Sequence, residues 1–196
     1  MIKVIFFDLG NTYAQGTCAQ FVNRSYKVLG INKTFSRKEV VFDIAFNKGE
    51  IDIEEFFKRF FNVPISPEQM HQLIELWKNN WKPAPEMLEL VNALKQNYRL
   101  GIISNSDAIN SPNYAQKGWY APFEVLILSH ELGLLKPDLK IYEIALEKMH
   151  AEAEECLFID DQEDCLKTAR ELGMKTILYR SIDQLKKDLK KQSIQF

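Results

Sequence analysis

The sequence predicts an α/β fold in which a Rossmann-like parallel sheet core carries an inserted helical cap domain. Three observations predict this fold. Apolar runs alternate with helical patterns in the second half of the chain, and the first apolar run, near the N-terminus, ends at an acid. The segment that separates this first run from the second half shows helix starts but no convincing strand. Strands that alternate with helices are typical of parallel sheets with right-handed crossovers. With 196 residues, 46% of them hydrophobic, the chain is long enough for a sheet core with a lid.

The first strand is predicted over residues 3–7, because an apolar run rich in Val, Ile and Phe is typical of a fully buried strand. Asp8 follows it and opens a tight turn over residues 8–12 that contains Gly10. Open α/β sheets bind ligands at the carboxyl ends of their strands, and an unpaired buried carboxylate is costly. Asp8 therefore either begins a simple turn or faces a cation or an electrophile.

A helical cap is predicted over residues 13–82, directly after the first strand. Three helix starts have the spacing of a capping box, namely Ser36 with Glu39, Asp52 with Glu55, and Ser66 with Gln69. The prolines of residues 82–85 predict a stiff linker back to the sheet. We therefore assign residues 1–12 and 83–196 to the core domain and 13–82 to a lid that excludes water and selects the substrate. The alternative is that these helices pack into one larger core.

The rest of the core is predicted as alternating strands and helices. Further strands are predicted over residues 100–104, 125–129, 156–159 and 176–179. Helices are predicted over residues 86–96, 139–149, 162–172 and 182–190, and Ser181 is the expected cap of the last one. In a parallel sheet the carboxyl ends of all these strands lie at one edge.

Polar residues stand at or just beyond the ends of four predicted strands: Asp8, Ser104 with Asn105, Lys136, and Asp160 with Asp161. Taken singly, each has an ordinary explanation as a turn, a solvated loop lysine, or a pair of acids at a helix N-terminus. Because the carboxyl ends of parallel strands converge, the order of these residues predicts one shared site instead.

The acids of this set predict a magnesium site. Asp8 and one of the two later acids, Asp161 or Asp160, offer the hard oxygen ligands that Mg²⁺ prefers. By its position relative to the following helix, Asp161 is favoured as the metal ligand, with Asp160 orienting Lys136.

The same set contains what the hydrolysis of a phosphate ester requires. Asp8 can attack phosphorus and form an aspartyl-phosphate. Ser104 and the backbone N–H of Asn105 can hold phosphoryl oxygens, and Lys136 can neutralise the charge that the transition state carries. We therefore predict Asp8, Ser104 and Lys136 as catalytic residues, and Ser104, Asn105 and Lys136 as phosphate-binding residues.

The composition argues against several other function classes. The net charge of −2 gives no reason to expect nucleic acid or an anionic membrane as a partner. The three cysteines, an odd number in or beside apolar runs, are typical of reduced thiols in the cytoplasm rather than of a disulfide framework. No signal peptide or membrane span is predicted. The sequence leaves the oligomeric state open.

Four short motifs resemble those of the haloacid dehalogenase-like (HAD) hydrolase superfamily, in the same order and over nearly the whole chain. They lie at residues 6–12 (FFDLGNT), 102–105 (IISN), 133–137 (GLLKP) and 158–161 (FIDD). The insert after the first motif is similar to the subgroup with a small helical cap. Residues 49–56 and 128–133 are similar to its sugar-phosphate (α-glucose-1-phosphate) phosphatase branch.

The resemblance implies a Mg²⁺-dependent phosphatase that acts on a small phosphorylated metabolite. It also implies that the backbone carbonyl of Gly10 contacts the metal together with Asp8, Asp161 and Asp160. Most phosphatases of the superfamily have a second Asp at the position of Gly10, which protonates the leaving oxygen and later activates water. Such an acid contributes about 10²–10⁴-fold in rate. A substrate with a good leaving group, such as an anomeric phosphate or an acyl phosphate, would suffer less from the loss.

Cys165 is a second departure from the pattern of the superfamily. Many members have Asn or Asp at this position, where the side chain supports the metal ligands. Asp164, one residue earlier, is the candidate to replace it. Losses of this kind typically cost about 10–100-fold in metal affinity or activity.

Two other functions are consistent with part of the pattern. A haloacid dehalogenase would use the same Asp8 nucleophile without a metal, but the paired acids would be unexplained and only Arg24 and Arg37 are early candidates for binding the halide. A non-catalytic binding protein on the same scaffold is suggested by Gly10 and Cys165.

The residues that select the substrate are less well defined by the sequence. Candidates in the cap are Tyr13, Gln15, Phe46 and Lys48. Asp107 follows the second motif closely enough to reach the site from its loop. His71 and His130 have no visible catalytic partner, so they are predicted to be surface or supporting residues.

Overall fold

The structure is a computed structural model that describes residues 1–36 and 43–196. Its strands are β1 (Val4–Phe7), β2 (Ala14–Gln15), β3 (Lys82–Pro83), β4 (Arg99–Ser104), β5 (Val125–Leu128), β6 (Cys156–Asp160) and β7 (Lys175–Leu178). Its helices are α1 (Cys18–Val28), α2 (Ile44–Asn47), α3 (Ile53–Phe61), α4 (Pro67–Lys78), α5 (Pro85–Leu94), α6 (Asn110–Gln116), α7 (Ser129–Leu132), α8 (Leu139–Met149), α9 (Glu163–Glu171) and α10 (Ile182–Lys191).

A five-stranded parallel sheet forms the centre of the molecule, in the order β5-β4-β1-β6-β7. β1 lies in the middle of this sheet, between β4 and β6, and all of its residues are buried. The predicted α/β fold with a parallel sheet is therefore confirmed. The order also places the carboxyl end of β1 directly between the carboxyl ends of β4 and β6.

Hydrophobic layers cover both faces of the sheet. Ile5 and Phe7 belong to the layer formed with α5 and α10, whereas Val4 and Phe6 belong to the layer formed with α8 and α9. Successive side chains of a strand point to opposite faces, so a strand that is apolar at every position is buried on both. This double burial explains why the first apolar run became the central strand.

Helices α1 to α4 surround a third hydrophobic cluster, which is rich in aromatic rings. The helix starts predicted at Asp52 and Ser66 are confirmed, because each side chain accepts a hydrogen bond from the backbone N–H three residues later. The start predicted at Ser36 depends on Glu39, which lies outside the described residues. The division of the chain into core and cap at residues 12 and 83 stays a prediction.

Two short strands join the ends of the predicted cap segment, where no strand was predicted. Ala14 pairs with Pro83 and Gln15 pairs with Lys82 in an antiparallel ribbon. The prediction of a stiff linker at residues 82–85 was therefore wrong in part. Pro83 lies in a strand and Pro85 is the first residue of α5. Pro suits an edge strand because such a position does not need a backbone N–H donor.

The other predicted strands and helices lie within two residues of their predicted ends. Helices α6 and α7 were not predicted. The three cysteines are all free, as their odd number suggested. None of the helices in the described part of the chain has both the length and the apolar character needed to span a bilayer.

Candidate active site

Asp8 and Lys136 form the centre of the candidate site. The N–H of Asp8 donates to the carbonyl of Ile159 in β6 at 2.8 Å, which fixes Asp8 at the carboxyl end of β1 beside β6. Lys136 Nζ donates to Asp8 Oδ1 at 2.6 Å and to Asp160 Oδ2 at 2.6 Å. The three side chains are almost completely buried. The structure thus brings residues from three separate motifs into one hydrogen-bonded cluster.

The groups of this cluster shift one another's pKa values. Burial raises the pKa of Asp8 to about 7; the Lys136 ammonium opposes this shift, and the charge of Asp160 adds to it. Burial alone would lower the pKa of Lys136, but the charges of Asp8 and Asp160 outweigh it and raise that pKa. Lys136 is therefore held as a cation beside the Asp8 carboxyl, where water screens its charge poorly.

The two acids at the carboxyl end of β6 have different surroundings. Asp160 is fully buried, and both of its oxygens accept hydrogen bonds, Oδ1 from the N–H of Gln162 at 2.7 Å and Oδ2 from Lys136. Asp161 is half-buried. Its Oδ1 is shielded from solvent and has no hydrogen-bond partner within residues 1–36 and 43–196. Burial and, next, the charge of Asp160 raise the pKa of Asp161.

Three carboxylates at this edge of the sheet fit a divalent cation. One oxygen each of Asp8, Asp160 and Asp161 lies within 4.8 Å of the others. A buried carboxylate oxygen without a partner is costly, and a hard cation is a ligand that removes this cost. Asp160 already accepts hydrogen bonds with both oxygens, whereas Oδ1 of Asp161 has no partner in the described part of the chain and could bind a divalent cation together with Asp8.

Ser104 and Asn105 lie at the carboxyl end of β4, the strand beside β1. Ser104 is buried at the last position of β4. The side chain of Asn105 makes two hydrogen bonds to the main chain of Lys136: Nδ2 donates to the carbonyl at 3.0 Å, and Oδ1 accepts from the N–H at 2.8 Å. Only the backbone of Asn105 was predicted to act in the site, so this use of the carboxamide was missed. A contact across 31 positions has no local sequence signal.

The turn after Asp8 is tight and leaves space at Gly10. Ala14 N donates to the carbonyl of Leu9 at 2.7 Å, and Asn11 N donates to the carbonyl of Ala14 at 2.8 Å. Asn11 has a φ of 58°, in the left-handed region that Asn tolerates better than most residues. A Cβ built on Gly10 would meet no heavy atom within 4 Å. Packing therefore does not require a glycine at this position.

Asp164 does not take the place of the Asn or Asp that many members of the superfamily have at the position of Cys165. Asp164 is exposed on the first turn of α9 and is not part of the cluster of acids. Cys165 is buried, and burial raises the pKa of its thiol to about 11. The suggestion that Asp164 supports the metal ligands is therefore wrong, because the side chain faces solvent rather than Asp161.

Asp107 is also committed elsewhere. Its carboxylate is buried and accepts a hydrogen bond from Trp77 Nε1 in α4 at 3.2 Å. It also accepts from the backbone N–H groups of Ile109 and Asn110 and from the Asn110 side chain. Burial raises the pKa of Asp107. The prediction that Asp107 reaches the site is wrong, since these contacts direct the carboxylate towards α4 and α6.

Two of the four candidates for substrate selection are used in packing. Tyr13 is fully buried and donates to the carbonyl of Trp119 at 2.9 Å. Phe46 is buried and stacks on Phe56 with ring centroids 4.5 Å apart. The prediction that Tyr13 and Phe46 contact the substrate was wrong, because both aromatic rings are buried in the hydrophobic clusters of the protein.

The other two candidates are more open. Gln15 is exposed, and its Nε2 donates to the carbonyls of Asn11 and Thr12 in the turn after Asp8. Lys48 is half-buried at the end of α2. His130 also lies in this part of the molecule, with Nδ1 at 2.9 Å from Ser106 Oγ, whereas His71 is exposed on α4.

Comparisons with known proteins agree with this geometry. A family model of haloacid dehalogenase-like hydrolases matches residues 2–173. A D-ribitol-5-phosphate phosphatase of Bacteroides thetaiotaomicron is 24% identical over 190 residues, which cover 90% of this chain and 91% of that protein. The bifunctional epoxide hydrolase 2 of Sus scrofa is 44% identical over 69 residues, which cover 35% of this chain and only 12% of that protein.

A solved structure shares the fold. It is a HAD family enzyme of Bacteroides thetaiotaomicron in complex with magnesium and inorganic phosphate, 22% identical to this chain. The TM-score is 0.77, and the superposition covers 92% of this chain and 95% of the other.

Proposed function

The chain belongs to the haloacid dehalogenase-like hydrolases, and on that premise we propose that it is a Mg²⁺-dependent phosphatase of a small phosphorylated metabolite. The observation that carries this proposal is the buried pair formed by Asp8 and Lys136, with Lys136 Nζ 2.6 Å from Asp8 Oδ1. A carboxylate nucleophile beside a fixed cation, at the edge where two further acids meet, suits attack on an anionic phosphoryl group. The relatives that are phosphatases agree with this proposal.

The proposed reaction has two displacements at phosphorus. An oxygen of Asp8 forms a bond to phosphorus while the bond from phosphorus to the leaving oxygen breaks, which leaves an aspartyl-phosphate. The leaving group departs as an anion and takes a proton from solvent. Water then attacks this phosphorus and loses a proton to solvent, the bond between Asp8 and phosphorus breaks, inorganic phosphate leaves, and the Asp8 carboxylate is regenerated. Ser104 Oγ and the backbone N–H of Asn105 hold phosphoryl oxygens, and Lys136 neutralises charge on them during both steps.

The residues proposed to hold Mg²⁺ are Asp8, Asp161 and the carbonyl of Gly10. When bound, the ion would offset the repulsion between the Asp8 carboxylate and the phosphoryl oxygens. The unpartnered Oδ1 of Asp161 supports this choice, as does the use of both Asp160 oxygens by Gln162 and Lys136. Asp160 then serves to orient Lys136 and contributes negative charge to the metal site.

The affinity for Mg²⁺ is expected to depend on pH. With the pKa of Asp8 at about 7 in the metal-free protein, Asp8 is protonated at lower pH and must release its proton to bind the ion. The affinity should therefore fall by about tenfold per pH unit well below pH 7 and level off above it. Isothermal titration calorimetry between pH 5.5 and 8.5 measures this dependence. Asp8→Asn should weaken this dependence without removing it, because the pKa of Asp161 is also raised. Equal affinities at pH 5.5 and 8.5 in the wild type would contradict the expectation.

Phosphate release from a panel of phosphorylated sugars, with and without Mg²⁺, tests the proposed function. Because no acid stands at Gly10, anomeric and acyl phosphates are expected to react faster than primary alkyl phosphates. A chain that hydrolyses nothing in the panel and forms no beryllofluoride adduct would instead be a binding protein on the same scaffold. Chloride release from 2-chloropropionate in the presence of a chelator would identify a dehalogenase.

We also propose that residues 13–82 form the lid of this site. Their helices have a hydrophobic cluster of their own, and the carbonyl of Asn47 in α2 accepts a hydrogen bond from Ser129 Oγ at 2.6 Å. Ser129 begins α7, directly after β5 at the edge of the sheet that carries the site. This contact beside the proposed phosphate-binding loop supports the proposal that these helices form a lid.

A further inference from the structure

The loop after β4, residues 105–107, contacts three parts of the molecule that are distant in the sequence. Asn105 contacts Lys136, Ser106 contacts Ser129, and Asp107 contacts Trp77. The first contact lies in the catalytic cluster, the second at the start of α7, and the third in α4. The loop therefore connects the catalytic lysine with helix α4 of the proposed lid and with helix α7.

The Asn105 carboxamide fixes the main chain from which Lys136 extends. Its donor and its acceptor are both used, by the carbonyl and the N–H of the same residue. A lysine side chain is a flexible four-carbon stem, so its ammonium stays between Asp8 and Asp160 only if the main chain is held in place. Asn105 thus contributes to the geometry of the site without contacting either acid.

Asp107 anchors the loop to α4. Its carboxylate accepts the indole N–H of Trp77 at 3.2 Å, and both residues are buried. Trp77 packs within the aromatic cluster of the lid, 5.6 Å from the ring centroid of Phe56 and 6.0 Å from that of Phe57. A movement of α4 away from the core must therefore displace Asp107 or leave a buried donor and acceptor unpaired, which is unfavourable.

Ser106 gives the loop a second link towards the lid. Its N–H donates to Ser129 Oγ at 2.9 Å. The same hydroxyl donates to the carbonyl of Asn47 in α2 at 2.6 Å. Helix α4 is thus linked to the loop directly, through the buried bond from Trp77, and helix α2 is linked to it indirectly, through Ser129.

We propose that this loop couples the position of the lid helices to the catalytic lysine, with Asn105 as the positioning residue for Lys136. When α2 and α4 are docked, Asp107 and Ser106 hold the loop, and the Asn105 carboxamide holds the main chain of Lys136. When the lid moves away, the loop and the lysine loosen together. The consequence for turnover rests on the proposed phosphatase function, whereas the coupling itself does not.

Hydrogen exchange of the Lys136 amide, measured by NMR on the whole chain, tests the coupling directly. This amide donates to Asn105 Oδ1, so Asn105→Ala is expected to speed its exchange by about tenfold. Trp77→Phe removes only the indole donor to Asp107 and is expected to speed the same exchange by about threefold. A wild-type exchange rate at Lys136 in either variant would overturn the proposal.

Asn113→Ala provides the matched control. Asn113 Nδ2 donates to the carbonyl of Lys78 at 2.7 Å, so it also joins α6 to α4 but bypasses the loop. Exchange at Lys136 should be unchanged in this variant, and an acceleration equal to that of Trp77→Phe would overturn the proposal in favour of general loosening. Because Trp77 also packs in the lid, Asp107→Asn gives a second test of the same link and is expected to match Trp77→Phe.

Turnover supplies an independent measurement. With p-nitrophenyl phosphate and Mg²⁺, Asn105→Ala is expected to lower kcat by about 10–100-fold. Trp77→Phe should lower kcat in the wild-type background but not in the Asn105→Ala background, because the link is already broken there. Losses that multiply would overturn the coupling. A wild-type chain without any phosphatase activity would refute the proposed function and leave the exchange experiment to decide the coupling.

Discussion

Replacing Asp8 by Asn is expected to reduce phosphate release by about 10⁴–10⁶-fold, as removal of a covalent nucleophile does in other enzymes. The amide has nearly the shape of the carboxylate and keeps an oxygen that can accept from Lys136, so the cluster can remain assembled. It lacks the anionic oxygen that attacks phosphorus. The loss should therefore appear in kcat for every substrate, and no phosphoryl group should be trapped on the variant after rapid acid quenching.

Asp164→Asn is the control for this experiment. It makes the same chemical change at an exposed acid of α9 that lies outside the cluster. Its activity should equal that of the wild type within about twofold, as expected for a surface substitution. If Asp8→Asn retained more than a few per cent of wild-type activity, or if mass spectrometry found the phosphoryl group on another residue, the proposed nucleophile would be wrong.

The sheet was predictable because its strands are apolar at nearly every position. β1 and β6 are buried on both faces, and such runs are recognisable without any knowledge of the tertiary structure. Helix α6 was not predictable from the sequence, because its first residues, Asn110, Ser111, Pro112 and Asn113, are poor helix formers. Its first turn is held by Asp107, whose Oδ1 accepts from the N–H of Asn110 at 2.7 Å. This stabilisation depends on a carboxylate that the fold has buried, which the local sequence does not reveal.

The acids and the lysine of the site were predictable for a different reason. In a parallel sheet the carboxyl ends of all strands lie at one edge, so Asp8 after β1 and Asp160 at the end of β6 could be grouped from the sequence. Lys136, which follows β5 and α7, could be assigned to the same edge. The hydrogen bonds between individual side chains could not be predicted from the sequence. Asp107 was assigned to the site by its distance along the chain, yet its carboxylate accepts hydrogen bonds from Trp77 of α4 and Asn110 of α6 instead.

Replacing Gly10 by Asp is expected to accelerate the hydrolysis of primary alkyl phosphates by about 10²–10⁴-fold, the contribution typical of a general acid. The structure allows the side chain, since a Cβ at Gly10 has no heavy atom within 4 Å and its φ lies outside the left-handed region. The new carboxyl would stand two residues after Asp8, close to a cluster that already holds three acids. Like charges disfavour ionisation, so the new group should keep its proton at higher pH than a solvated Asp and be able to give it to the leaving oxygen.

Two comparisons distinguish this effect from a general improvement of the site. An alkoxide needs a proton to leave, whereas p-nitrophenolate does not, so Gly10→Asp should speed a primary sugar phosphate far more than p-nitrophenyl phosphate. Gly10→Asn has the same size but no titratable proton and should speed neither substrate. Steady-state rates of the three proteins on both substrates measure the difference. Equal rates for Gly10→Asp and Gly10→Asn, or equal acceleration of both substrates, would contradict the prediction. Either result would mean that the wild-type site is not limited by proton transfer to the leaving group.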